Sequence, residues 1–297
     1  MKSILITGAN GQLGRALNTV LKEQLDSDTI ILNTSRGEPT AYCPILLDIT
    51  NPVAVTNIVQ DLKPDIIINC AAHTAVDLCE TDKERAYEIN ALGPKNLAAA
   101  ANAIDAKLIH VSTDYVFDGE RKTPYTEEDQ TNPQTVYGQT KLEGERLVQN
   151  HCEKYFIIRT AWLYGEGKNF VKTMLQLAEN HTEVRVIRDQ FGTPTSALEL
   201  AKAIVFLMNT ENYGIYHGTC EGIATWYEFA TEVFRLAKKE ITVKPITTEE
   251  YPTPAKRPKY SVLENKKLKA LNYYMKPWKD ALQEYINMEL LHNTLSF

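Results

Sequence analysis

Tyr137 and Lys141 lie four residues apart in TVYGQTK, and upstream of them the stretch HVSTDYVFDG carries Ser112, Thr113 and Asp114. A tyrosine hydroxyl, ordinarily titrating near ~10, gives its proton readily to a nascent alkoxide only if it is made more acidic, and a cation one helical turn away favours the tyrosinate. The i, i+4 spacing puts Tyr137 and Lys141 on one face of a helix that runs to about Asn150. A hydroxyl at the end of the strand before that helix completes the set by hydrogen-bonding the carbonyl under attack, and Thr113 is the expected partner. These three residue types suit reduction of a ketone by hydride, with Tyr137 as proton donor. The pair alone is an ordinary surface pattern of helices and takes its meaning from what precedes it. Asp114 alternatively only caps its loop, and Ser112 alternatively only packs. His73 and His110 read as structural or cofactor-contacting, because Tyr137 already fills the role of acid.

A hydride needs a donor, and the stretch ITGANGQLG supplies a place for one. Gly8, Gly11 and Gly14 follow the first strand and open the first helix. Gly8 permits a tight turn, Gly11 lets the backbone approach a pyrophosphate, and Gly14 lets helix and sheet pack closely, with the helix N-terminus facing the anion. The GxxGxxG spacing differs from the common GxGxxG and is similar to that of the extended short-chain dehydrogenases/reductases. Gln12 and Leu13 lie inside the same loop. The second strand ends ILNTSRGE, with Asn33, Ser35 and Arg36 where an NAD-selective site carries a carboxylate for the ribose 2′-hydroxyl. No carboxylate there repels a 2′-phosphate and Arg36 can pair with one, which favours NADPH and leaves NADH open. Asp48 and Ile49 in LLDIT are placed for the adenine. Ala72, His73 and Thr74 in NCAAHT border the inner half of the cofactor.

These residues need a scaffold that gathers strand ends. SILIT, TIIL, DIIINC, KLIHVS and YFIIRT are apolar without alternation, as in parallel strands buried on both faces. Helical patterns lie between them: Leu13, Ala16, Leu17, Val20 and Leu21 recur at helical spacing, Asn51-Pro52 reads as an N-cap with proline at the first position, and the segment from Asn90 to Ala103 is alanine-rich. The expected fold is α/β, a doubly wound parallel-sheet Rossmann domain over residues 1–160, whose ligand sits at the carboxyl ends of the strands. Beyond Ala161 the alternation weakens. Helical patterns near Phe170 to Glu179, Ala197 to Met208, Trp226 to Ala237 and Trp278 to Leu291, with short strands VRVI and GIYH, suggest a smaller mixed α/β lobe over residues 161–297. That lobe is expected to bind substrate and to send some segments back to the first domain.

Length and charge narrow the function. With 297 residues the chain can bury a large core, and 43% hydrophobic with 24% charged residues is ordinary globular usage, which excludes a disordered or fibrous protein. A formal charge of -6 gives no basic footprint for nucleic acid. No apolar run approaches the ~20 residues that span a bilayer, and MKSILITGAN is too short in its apolar run for a signal peptide. Cys43, Cys70, Cys79, Cys152 and Cys220 form no CxxC pair, so they read as reduced thiols of a cytoplasmic protein without a zinc site.

Taken together, GANGQLG, NCAAHTAVD, STDYVFDG, TVYGQTKLEGE, RTAWLYG, NFVKTML, DQFGTPT and YPTPAKRPKYSVL run in order from Gly8 to about Trp278 and resemble the dTDP-4-dehydrorhamnose reductases. The resemblance implies reduction of the C4 ketone of dTDP-4-dehydro-L-rhamnose by NAD(P)H, for synthesis of a polysaccharide precursor. It implies that Thr113 and Tyr137 meet the C4 oxygen, that Lys141 also holds the nicotinamide ribose, and that Asp114 and Trp162 touch the sugar. Gly11, Gln12, Leu13, Asn33, Asp48, Ile49, Ala72, His73 and Thr74 match the family's cofactor positions. Arg257, in the proline-restricted run AKRPKY, suits the dTDP pyrophosphate because a guanidinium grips phosphate in bidentate fashion. The family likeness also implies a homodimer and Mg²⁺ on C-terminal glutamates. Glu289 corresponds to one of these, but NMELLHN lacks the adjacent acidic pair, so no metal ligand is assigned. Three alternatives keep the fold and change the function. A 4,6-dehydratase would carry Asp-Glu where this chain has Asp114-Tyr115, and a 4-epimerase would be longer. A non-catalytic NADP-binding regulatory subunit would not be expected to keep Thr113, Tyr137 and Lys141 together.

Overall fold

The computed structural model describes residues 2–24 and 28–294, with side chains through Glu289. Six apolar runs become the strands β1 (Ser3–Thr7), β2 (Ile30–Ser35), β3 (Ile45–Leu46), β4 (Ile66–Asn69), β5 (Lys107–Thr113) and β6 (Tyr155–Thr160). A seventh strand, Gly214–His217, joins them, and the order across the sheet is Gly214–His217, β6, β5, β4, β1, β2, β3, with every neighbouring pair parallel. The order reverses beside β1, which opens a crevice at the carboxyl ends of β1 and β4.

Between the strands run α1 (Gln12–Gln24), α2 (Pro52–Leu62), α3 (Val76–Thr81), α4 (Lys83–Tyr87), α5 (Gly93–Ala103) and α6 (Val136–His151). Their starts follow from side chains that satisfy the free N–H groups of a first turn. Asn51 accepts from Val53 N and Ala54 N ahead of Pro52, and Thr135 accepts from Gly138 N ahead of α6. Leu13, Leu17, Val20 and Leu21 of α1 pack with Leu200, Ala203 and Ile204 of the helix Ala197–Met208 on one face of the sheet. Val55 and Val59 of α2, Leu97 and Ala101 of α5 and Val148 of α6 cover the other. Strands buried on both faces are what continuous apolar runs require.

The second half builds its own core. Glu183–Ile187 and Thr242–Ile246 pair as a two-stranded parallel sheet. Around them the helices Phe170–Asn180, Trp226–Leu236 and Trp278–Thr294 bury Val171, Phe229, Val233, Leu282 and Ile286. GIYH, read from sequence with the smaller lobe, instead forms the edge of the large sheet beside β6. Without it the outer edge of β6 would lack a backbone partner. No helix among the described residues is long and apolar enough to cross a membrane.

Candidate active site

The glycine loop takes the shape its residue types allow. Gly8 has φ +65°, and a Cβ there would come within 2.8 Å of Ala71 N on the neighbouring strand end. A Cβ at Gly14 would come within 2.5 Å of Ala9 Cα, so α1 lies against the loop as only glycine permits. Gly11 N closes the turn on Gly8 O at 3.0 Å, leaving the first N–H groups of α1 directed at the crevice. Gln12 Oε1, buried, finds no partner among the described residues. This donor-rich turn fits the pyrophosphate of a dinucleotide.

The loop forms one end of a cavity of about 1550 Å³ between the sheet and the second lobe. Gly8, Gly11, Gln12, Leu13 and Gly14 line it, with Arg36, Asp48 and Ile49 on one flank and Ala72, His73 and Thr74 beneath. Burial alone would raise the Asp48 carboxyl, but two hydrogen bonds from Thr50 and the charges of Arg85 and Arg36 hold it below the usual range. Asn33, expected at the cofactor, lies on β2 two residues before its end, with its amide paired to Asn18 in reciprocal bonds of 2.8 and 2.9 Å.

At the carboxyl end of β5, Thr113, Asp114, Tyr137 and Lys141 converge on the same cavity. Thr113 Oγ1 donates to Asp114 Oδ1 at 2.9 Å and accepts from Tyr115 N at 3.2 Å. Burial pushes the Asp114 carboxyl up to about 6. Its Oδ2 is buried and finds no hydrogen-bond partner among the described residues. The Tyr137 ring is buried edge-on against Tyr115, with centroids 5.4 Å apart.

Burial dominates the charges of this pair. It raises the Tyr137 hydroxyl, opposed chiefly by the Thr113 hydroxyl. Lys141, 2% exposed, directs Nζ away to Val111 O at 2.6 Å and His110 Nε2 at 3.4 Å. Burial in turn pushes the lysine down to about 8, against the pull of Glu145 one turn further along α6. Desolvation outweighs a neighbouring charge when both groups leave water.

Three supporting groups went unread in the sequence. Asn90 sits in a π-helical turn, Glu88–Leu92, between α4 and α5; its amide accepts from His73 N at 2.8 Å and donates to His73 O at 3.1 Å and Thr140 Oγ1 at 3.2 Å. It ties the loop after β4 to α6, and the one local sign of it was a poor helix former within a helical run. Glu145 and Arg159 form a buried ion pair of 2.7 and 2.9 Å, and Ser112 Oγ donates to the same carboxylate at 2.5 Å. Asp77 Oδ2 meets Arg257 Nη2 at 2.6 Å while Asp77 Oδ1 accepts from Ala255 N. The buried Nη1 of Arg257 has no partner among the described residues. Trp162 lines the cavity with a strained φ of +46° and stacks on Trp226 at 3.6 Å, with Gly192 against its indole. Glu289, weighed as a metal ligand, pairs with Lys172 at 3.0 Å.

The model of the RmlD substrate binding domain family matches residues 1–290. The chain belongs to that family. The dTDP-4-dehydrorhamnose reductase of Aggregatibacter actinomycetemcomitans is 41% identical over 297 residues, covering 95% of this chain and 98% of that protein. The crystal structure of a dTDP-4-dehydrorhamnose reductase from Clostridium acetobutylicum ATCC 824 is 51% identical and superposes with a TM-score of 0.92 over 97% of this chain and 99% of that one. The reductase from Bacillus anthracis str. Ames, in complex with NADP, is 40% identical, with a TM-score of 0.90 over 97% and 99% of the two chains. The likeness to these relatives covers both lobes, so it extends to the large sheet and to the smaller lobe that closes the cavity.

Proposed function

We propose that the protein is a dTDP-4-dehydrorhamnose reductase, reducing the C4 ketone of dTDP-4-dehydro-L-rhamnose to dTDP-L-rhamnose. The observation that carries this reading is the convergence of Thr113, Tyr137 and Lys141 on a cavity that also holds the glycine loop at one end and Arg257 at the other. NADPH, when bound, supplies the hydride. Thr113 Oγ1 turns its one proton from Asp114 Oδ1 to the ketone oxygen, and Tyr137, still protonated because burial raises it, gives that oxygen its proton as the alkoxide forms. Lys141 stands where a cofactor ribose and the tyrosinate left behind both gain from a cation. Asp114 takes a sugar hydroxyl, Trp162 covers the sugar, and the Arg257 guanidinium takes a phosphate oxygen. Arg36 favours the 2′-phosphate of NADPH over NADH.

The test is turnover of enzymatically generated dTDP-4-dehydro-L-rhamnose, followed by loss of NADPH absorbance and by chromatography of the dTDP-L-rhamnose formed, with NADH in parallel. Folded protein that binds NADPH without consuming it would sink the reading. The five free thiols support a reducing cytoplasm as its place of work, which fractionation tests. A homodimer is the assembly implied by resemblance, and light scattering tests it.

A further inference from the structure

Thr7, Asn69 and His110 are lateral neighbours on β1, β4 and β5, Thr7 opposite Asn69 and Asn69 opposite His110. All three are buried, and their side chains form a hydrogen-bonded row that ends at Lys141. Asn69 Oδ1 accepts from Thr7 Oγ1 at 2.6 Å and from Ala71 N at 3.1 Å. A backbone N–H can only donate, so that atom is the amide oxygen. The atom 3.0 Å from His110 Nδ1 is therefore the amide nitrogen, which also only donates. His110 Nδ1 must then accept, and the single proton of the neutral ring sits on Nε2, the atom 3.4 Å from Lys141 Nζ. A doubly protonated ring would set two donors against each other at Asn69. Burial and the adjacent lysine hold His110 well below its ordinary value, in keeping with a permanently neutral ring.

We propose that Asn69 and His110 are positioning residues for Lys141: Asn69 fixes the histidine tautomer, and the Nε2–H so presented favours the neutral amine of the lysine, which can accept it, over the ammonium, which cannot. The inference rests on Lys141 belonging to the proposed reductase site. The other groups facing Lys141 do not supply this. Glu145 favours the ammonium, but its carboxylate is shared with Arg159 and Ser112. The Cys70 thiol, pushed up to about 12 by burial, stays neutral. Tyr137 stays protonated, and the Val111 carbonyl accepts from either form of the amine. Asp114 acts on Tyr137 rather than on the lysine. Burial lowers Lys141, and the row of Asn69 and His110 inside the sheet adds to it in the same direction.

Two NMR measurements on the full chain test this. Ring ¹⁵N shifts of His110 are expected to show the Nε2–H tautomer throughout the range in which the protein is folded. ¹³Cε-lysine spectra, with Lys141 assigned by its loss in Lys141→Met, are expected to show titration at about 8. Asn69→Asp replaces the donor with an acceptor, so the proton moves to Nδ1, Nε2 becomes an acceptor, and Lys141 titrates about one pH unit higher or more. His110→Phe removes the donor and also raises Lys141. In the double variant the added carboxylate should raise Lys141 little beyond His110→Phe alone, which separates the tautomer from the bare charge introduced by Asn69→Asp. An Nδ1–H ring in the wild type, or one Lys141 titration shared by wild type, Asn69→Asp and His110→Phe, would overturn the proposal. Should Asn69→Asp fail to fold, the wild-type tautomer and His110→Phe still decide it. None of these readings needs the sugar nucleotide, so failure of turnover and failure of this inference are seen separately.

Discussion

Burial makes Asp114 bind its proton more tightly in the folded chain than in the unfolded one, with the carboxyl pushed from 3.8 up to about 6. A raised value contributes stability that is fully present below 3.8 and is lost as pH rises through about 6. Asp114→Asn cannot ionise, so its melting temperature should exceed that of the wild type by roughly 2–4 °C at pH 7.5 and not at pH 3.5. Equal differences at both pH values, by calorimetry, would remove ionisation as the cause. Tyr137→Phe keeps the packing against Tyr115 and removes the proton donor, so kcat should fall by ~10²-fold or more while NADPH affinity by fluorescence titration changes little. At this scale Thr113, Tyr137 and Lys141 were legible because residue type and helical spacing are local properties. The pairing of Asn33 with Asn18 was not legible, because nothing in ILNTS marks a side-chain partner on the first helix. The strength of burial at Tyr137 and Lys141 was not legible, because desolvation depends on everything packed around the pair, which spacing does not reveal.

Element by element, the site hangs on how α6 meets the helical segment before α5. Gly144 faces the π-helical turn, and a Cβ there would strike the carbonyl oxygen of Asn90. Gly144→Ala should therefore cost about 1–3 kcal/mol in urea unfolding. Because Asn90 holds His73 on the cavity floor, the same change should weaken NADPH binding severalfold. A variant as stable and as tightly bound as the wild type would show that α6 does not lean on that turn. Asn51 and Thr135 as caps announce their helices in sequence, since an N-cap side chain serves N–H groups two or three residues away. The π turn announces nothing, because an inserted residue in a helix changes the register without changing the composition.

Across the molecule, Asp77 and Arg257 join the two lobes at the cavity mouth, 180 residues apart in sequence. The pair is partly exposed, so it adds little to stability. Its effect is to hold a guanidinium in place before a ligand arrives. Asp77→Asn should raise KM for the dTDP-sugar by about 3- to 10-fold with kcat and melting temperature nearly unchanged; an unaltered KM in steady-state kinetics would take Asp77 out of recognition. Arg257 was legible from its run of prolines and basic residues, whereas its partner was not, because nothing local marks a contact made by chain topology. The same topology decides the order in which the protein can be made. On the ribosome β6 emerges with one flank bare, and the strand that covers it, Gly214–His217, is translated only after the whole segment from Ala161 to Tyr213. Until then Phe156, Ile157 and Ile158 present an adhesive edge to neighbouring nascent chains, so the large sheet cannot close before His217 has been made.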